Sequence, residues 1–139
     1  MATLTPTLAL TSTDISSDAL SLSVVGGPSA AGVTVTAPSS GISSIVATAT
    51  GSQSVIVPAS TSINYLYVKH TGTTDGSTGT TKQVDVEFTT DEAIARLSAG
   101  EWLFMPVHHA EENVGVQLHV QHSSPSDVVQ LEYAYFRKG

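Results

Sequence analysis

Gln83-Val84-Asp85-Val86-Glu87-Phe88 alternates polar and apolar residues without a break. A period of two places Val84, Val86 and Phe88 on one side of an extended chain and Gln83, Asp85 and Glu87 on the other, the pattern of a half-buried strand. The first set is expected to point inward and the second to face solvent. Tyr65-Leu66-Tyr67-Val68-Lys69-His70 reads the same way, and the two segments look like partners. Between them Thr71–Thr81 is a Gly/Thr/Ser run, expected to form a mobile hairpin loop.

The same period extends in both directions. Leu20, Leu22 and Val24 alternate with Ser21, Ser23 and Val25 before a Gly26-Gly27-Pro28 break. Val33 and Val35 alternate with Thr34 and Thr36 ahead of Pro38-Ser39-Ser40-Gly41, and Val55-Ile56-Val57 stops at Pro58. Glu101–Val107, Val114–Val120 and Val128–Phe136 complete the set. These segments predict an all-β chain, an antiparallel β-sandwich or jelly-roll-like fold of about eight to ten strands. Residues 1–139 are expected to form a single domain, with no linker long enough to divide it. The expected core is Val84, Val86, Phe88, Trp102, Phe104, Val116, Leu118 and Leu131, with Trp102 as its anchor. At most one short helix fits, near residues 90–97. Thr89-Thr90-Asp91-Glu92 has the form of a capping box, and Ala93-Ile94-Ala95-Arg96-Leu97 continues it to Ser98-Ala99-Gly100.

Charge is distributed unevenly. Between Met1 and Val68 the only charged residues are Asp14 and Asp18, and only 12% of the chain is charged, against roughly 25% in ordinary soluble domains. An uncharged surface offers little resistance to desolvation. Monomeric sheets guard their edges with Lys, Pro or bulges, yet the first half has no Lys. The chain is therefore expected to be a homo-oligomer, with residues 1–60 supplying most of the contact surface. Ser21, Ser23 and Thr34 would face outward there, and the acidic second half would turn to solvent.

The net charge of −7 and the scattered placement of Lys69, Lys82, Arg96, Arg137 and Lys138 argue against direct nucleic-acid or anionic-membrane partners. There is no Cys and hence no disulfide framework. Met1-Ala2-Thr3-Leu4-Thr5-Pro6 lacks a basic leader, and the apolar runs are too short for a signal or a span. The protein is thus expected to stay in a cytoplasm, or to leave it without the secretory route. Composition shifts near residue 90: every Thr lies at or before Thr90, while Trp102, Phe104, Phe136 and four of the five His lie beyond. This reads as two faces of one fold.

Candidate chemistry is sparse. His108, His109, Glu111, Glu112, His119 and His122 are zinc-ligand types. However, adjacent histidines, and those three apart, point to opposite sides of an extended chain, and no His-Glu-x-x-His pattern exists. No metal or other cofactor is expected. A hydrolase lacks its Gly-x-Ser-x-Gly elbow, and Asp91-Glu92 and Glu111-Glu112 read as a helix start and a loop, so no catalytic residue is assigned. Aromatic pairs offer a binding alternative. Tyr65 and Tyr67 share one side of a strand, and Tyr133 and Tyr135 share one side of another. Either row could stack a sugar, or one could fill the core while the other covers a sheet.

Several segments together resemble small virion proteins of tailed phages, especially those of marine bacteria. They are Asn64-Tyr65-Leu66-Tyr67-Val68-Lys69-His70-Thr71-Gly72, the strand ending Val86-Glu87-Phe88, Leu97-Ser98-Ala99-Gly100-Glu101-Trp102-Leu103-Phe104-Met105-Pro106, and the closing Leu131-Glu132-Tyr133-Ala134-Tyr135-Phe136. The resemblance implies a non-enzymatic structural part of a virion, assembled in the host cytoplasm. It points to capsid decoration (cement), neck or tail, with the major capsid protein as the favoured partner. It brings no site residues. The alternative is a neck, tail or fibre-knob module binding host-surface glycans, with Tyr65, Tyr67 and the Thr71–Thr81 loop as its first candidates.

Overall fold

The computed structural model describes residues 2–12, 20–26, 33–35, 42–49, 53–59, 63–89, 92–107, 115–121, 124 and 126–137. Over these residues the protein is all-β, with twelve strands and no helix. The strands are β1 (Ala2–Leu4), β2 (Thr7–Ser12), β3 (Leu20–Val25), β4 (Val33–Val35), β5 (Ser43–Thr48), β6 (Ser54–Val57), β7 (Tyr65–His70), β8 (Val84–Phe88), β9 (Ala93–Leu97), β10 (Trp102–Pro106), β11 (Val116–Val120) and β12 (Val128–Phe136). The chain forms two compact units, residues 1–37 with 138–139, and residues 38–137.

The first unit contains two antiparallel ribbons. In one, β2 pairs β3 with Leu8 opposite Val24 and Leu10 opposite Leu22. In the other, β1 pairs β4, with Thr3 opposite Thr34. The Gly26 N–H donates to the Pro6 carbonyl at 2.8 Å, closing the open end of the first ribbon. Asp14, Asp18, Gly27 and Pro28 lie outside the described residues, as does the Pro38–Gly41 turn.

The second unit is the sandwich. Its sheets have the strand orders β10-β7-β12-β5 and β6-β11-β8-β9, all antiparallel. One apolar cluster joins them. Leu66, Val68, Val129, Leu131 and Ala47 come from the first sheet, and Val57, Val84, Val86, Val116, Leu118 and Val120 from the second, all fully buried. Each fully buried Val or Leu contributes about 1.5–3 kcal/mol relative to exposure, so this cluster is what fixes the sandwich.

Val84, Val86, Val116, Leu118 and Leu131 occupy the core as expected, and Phe88 packs against it. Trp102 and Phe104 do not. Leu103 and Met105 lie opposite Val68 and Leu66 and pack on the core, which turns Trp102 and Phe104 to the outer side. Trp102 is 52% exposed. Trp102-Leu103-Phe104-Met105 is apolar on both sides, so alternation alone cannot say which side goes in.

Two further expectations are corrected by pairing. β7 and β8 are not partners: β7 bonds to β10 and β12, and β8 to β11 and β9, so residues 71–83 cross from one sheet to the other. The helical turn is instead strand β9. Its Arg96 lies opposite Asp85, its Ala95 opposite Val86, and the Phe88 N–H donates to the Glu92 carbonyl. Thr89 does not act as a helix cap, because its Oγ1 accepts the Gly115 N–H at 2.8 Å. Tertiary pairing with a buried strand outweighs the weak helix preference of Ala93–Leu97. Thr90 and Asp91 lie outside the described residues.

Gly100, at φ 83°, makes the tight turn from β9 into β10, where the Glu101 N–H donates to Ser98 and the Gly100 N–H to His70. Only glycine adopts this backbone without strain. Gly115 is required for a different reason. A Cβ there would lie 2.2 Å from the Val57 carbonyl oxygen and 2.9 Å from the Ala59 nitrogen, both backbone atoms. Gly115→Ala is therefore expected to push β6 from β11 and lower stability by about 1–3 kcal/mol in urea unfolding. Gly79→Ala, with open space at its Cβ, should leave the midpoint nearly unchanged. Equal midpoints for all three proteins would contradict this packing.

Candidate functional site

The inner sides of both sheets are used by the core, so the strand side chains left available lie on the outer sides. The two outer sides differ sharply in composition.

On the β6-β11-β8-β9 sheet the outer positions are mostly polar, with Val55, opposite Gln117, as an exposed apolar exception. Gln117 lies opposite Glu87, and His119 opposite Asp85. Arg96 grips Asp85 with both ends of its guanidinium, Nε–H to Oδ1 at 2.6 Å and Nη2 to Oδ2 at 2.9 Å, and the Gln121 amide donates to the same Oδ2. Glu87 lies 3.6 Å from His119 Nδ1. Asp85 and Glu87 thus take the outer side, as alternation requires, but do not face solvent. They are only 3% and 7% exposed, covered by their partners.

On the β10-β7-β12-β5 sheet the outer side is aromatic. Three cross-strand rows can be read from the register. Pro106, Tyr65 and Phe136 form the first, Phe104, Tyr67 and Ala134 the second, and Trp102, Lys69, Glu132 and Ser44 the third. Five of the eight aromatic residues of the chain therefore gather on this surface. Tyr65 and Phe104 stack with ring centroids 5.9 Å apart and planes within 6°, a geometry that adds about 0.5–1.5 kcal/mol to simple burial. Lys69 and Glu132 form a half-exposed ion pair at 3.7 Å beside Trp102, which adds little stability in water but leaves the surface electrically balanced. Tyr133 and Tyr135 turn the other way and pack on the core. The second half thus exposes two unlike surfaces where its acidic composition predicts only the polar one.

The Thr71–Thr81 segment borders the aromatic surface and is tightly bonded, not the loose hairpin its composition suggests. Thr73 and Gly79 form an antiparallel bridge, and Asp75 Oδ1 accepts the Ser77 and Thr78 N–H groups. The Gln130 N–H donates to the Thr73 carbonyl, and the Thr71 hydroxyl donates to the Gln130 carbonyl at 2.7 Å. His70, fully buried at the base, joins the two ends. Its Nδ1 accepts the Gly72 N–H, so Nε2 carries the ring proton and donates it to the Lys82 carbonyl at 2.9 Å. Lys82 then pairs with Asp127 at 2.9 Å.

Among the described residues, no group of three or more His, Asp or Glu is placed to hold a metal. His108, His109, Glu111, Glu112 and His122 lie outside them, as does Asp91. The structure gathers Tyr65 and Tyr67 on one surface with Trp102, Phe104 and Phe136, which sequence reasoning missed, whereas the Thr71–Thr81 loop leaves β7 at its other end, beyond Lys69 and His70. The signal was present. Once Leu66 and Val68 define the inner side of β7, an antiparallel neighbour must send one of its two apolar sets outward. Comparison with protein families, curated proteins and solved structures finds no match for this chain.

Arg96, first through its hydrogen bonds and then through its charge, holds the Asp85 carboxyl below its ordinary value of 3.8 against the opposing effect of burial. Backbone N–H groups of Thr78 and Ser77 act on Asp75 in the same direction. A carboxyl depressed by folding stabilises the protein fully above its unfolded-state value, and that contribution is lost as pH falls through the folded-state value. The melting-temperature gap between wild type and Asp85→Asn is therefore expected to be largest near neutral pH and to narrow below about pH 4. A gap that stays constant from about pH 6 to about pH 2 would contradict the pairing.

Proposed function

We propose that this chain is a non-enzymatic virion structural protein, a capsid decoration (cement) protein that stabilises the shell by docking on neighbouring capsid subunits. The observation that carries the reading is the aromatic outer side of β10-β7-β12. On it Trp102 is exposed and Tyr65, Tyr67, Phe104 and Phe136 are partly buried. Apolar patches rimmed by polar groups mark interaction surfaces, and Trp and Tyr dominate binding energy when buried against a partner. The balanced Lys69–Glu132 pair at its margin leaves no net charge to be desolvated at the centre of a contact. The resemblance of Asn64–Gly72, Leu97–Pro106 and Leu131–Phe136 to tailed-phage virion proteins supplies the setting, with the virion as location and the major capsid protein as partner. A cement protein acts by mass action, because a ligand that binds only the assembled shell favours that state.

Trp102→Ala is expected to weaken docking by about 2 kcal/mol or more, roughly 30-fold, without unfolding the sandwich, since Trp102 lies outside the core. Electron microscopy of intact particles tests the assignment. The expected result is density on the capsid in wild-type particles and reduced occupancy with Trp102→Ala. Density only at the neck or tail would defeat the decoration reading, and absence from particles would defeat the virion one. The same surface supports a second reading, a host-glycan platform, because Tyr65, Tyr67, Phe104 and Trp102 share it and aromatic rings can stack a sugar. Glycan-array binding that is abolished in Tyr65→Ala would favour that reading.

A further inference from the structure

We infer that the β2–β3 ribbon is a self-association surface, and that its occupant is the same ribbon of a second copy of this chain. Three properties of the ribbon lead there.

The first is openness. Among the described residues β2 and β3 have only each other as neighbours, so both strands are edges with unpaired backbone groups. A two-stranded ribbon is marginal alone and becomes stable with a further strand or a packed face. The second is lack of protection. Six consecutive residue pairs from Thr7–Val25 to Ser12–Leu20 run in unbroken register. No bulge, Pro, Lys or Arg interrupts either strand, although these are the devices by which monomeric sheets avoid pairing with other chains. The third is an apolar side. Leu8 faces Val24 and Leu10 faces Leu22 across the ribbon, and all four are 40–48% exposed. Isolated exposed apolar residues are ordinary, but three leucines and a valine adjacent in register form a patch.

Charge selects the occupant. β1 to β4 contain no charged residue, and Asp14 and Asp18 are the only charges in the first 68 positions. A nucleic acid, an anionic lipid surface or a charged protein patch would therefore find no counter-charge here and would lose its own hydration. An equally uncharged, equally apolar surface meets no such penalty. The ribbon itself is such a surface, and packed on its own copy about a two-fold axis it presents the same Leu8, Leu10, Leu22 and Val24 patch from both sides. In the dimer the apolar sides of two ribbons stack face to face and bury one another, and the open edges remain for backbone pairing with further copies.

The test uses the full chain. Wild type is expected to sediment at a multiple of 14.4 kDa, with amide protection of residues 7–12 and 20–25 that grows with concentration. In the double variant Leu10→Lys with Leu22→Glu, an ion pair replaces the apolar pair directly across the ribbon. That keeps the local pairing possible but charges the associating side. It is expected to sediment as a 14.4 kDa monomer with unchanged amide protection in β7, β8, β11 and β12. Ser23→Lys, on the opposite side of the ribbon, checks for a pure folding effect. With an intact ribbon it can still pack the apolar sides, so it should retain at least the dimer. A wild-type monomer at all concentrations would overturn the inference, as would a double variant that stays oligomeric.

Discussion

A four-stranded sheet has two sides and can bury only one of them against a single partner. In this sandwich that constraint is met by Leu66, Val68, Val129 and Leu131 packing against Val84, Val86, Val116 and Leu118, all fully buried. The rest of the arrangement depends on this contact. It fixes which residue of every alternating pair faces inward, and so determines the chemistry left outside. On one sheet the remainder is a carboxylate network satisfied within the protein. On the other it is a set of rings that exceeds what the core can hold. The first is closed, with Asp85 already bonded to Arg96 and Gln121. The second keeps Trp102 exposed and its other rings partly exposed, and such a surface gains by being covered.

The polar groups around that surface are organised by residues that the core contact also positions. His70 occupies an inward position of β7, between the apolar residues and the loop. Both of its ring nitrogens are used, which ties Gly72 to Lys82 and starts the 71–83 crossing in a defined direction. Gln130 acts from the neighbouring strand. Its backbone pairs with Thr71 and Thr73, and its side-chain amide donates to Ser44. A chain of Thr, Ser and Gly whose composition alone suggests freedom is held because its hydroxyls find backbone and side-chain acceptors. The rim of the aromatic surface therefore has a fixed shape.

Much of this was legible in the residues. Val84-Asp85-Val86 and Val116-Gln117-Leu118 are apolar on one side only, so period two assigns which side faces the core, though not that Asp85 and Gln117 on the other side are covered as well. Trp102-Leu103-Phe104-Met105 is apolar on both, and only the register against β7 decides that Leu103 and Met105 go in. Ala93–Leu97 could satisfy either a helix or a strand locally, and the choice belongs to Asp85, which lies across the sheet and pairs with Arg96. The pairing of β7 with β12 joins residues more than sixty positions apart, and nothing in a hairpin-like spacing reveals it. The aromatic surface was half visible, since Tyr65 and Tyr67 share a side by alternation. Trp102, Phe104 and Phe136 reach it through strand order, which composition does not encode.

Trp102 is the only tryptophan in the chain, so its fluorescence reports on the aromatic surface alone. In the free protein Trp102 is expected to emit as a water-exposed indole, readily quenched by acrylamide. Addition of capsid shells should shift it to shorter wavelength and protect it from quenching. A blue-shifted, quench-resistant signal in the free protein would return Trp102 to the core. An emission indifferent to capsid shells would contradict the claim that this side of the sheet is where the protein docks.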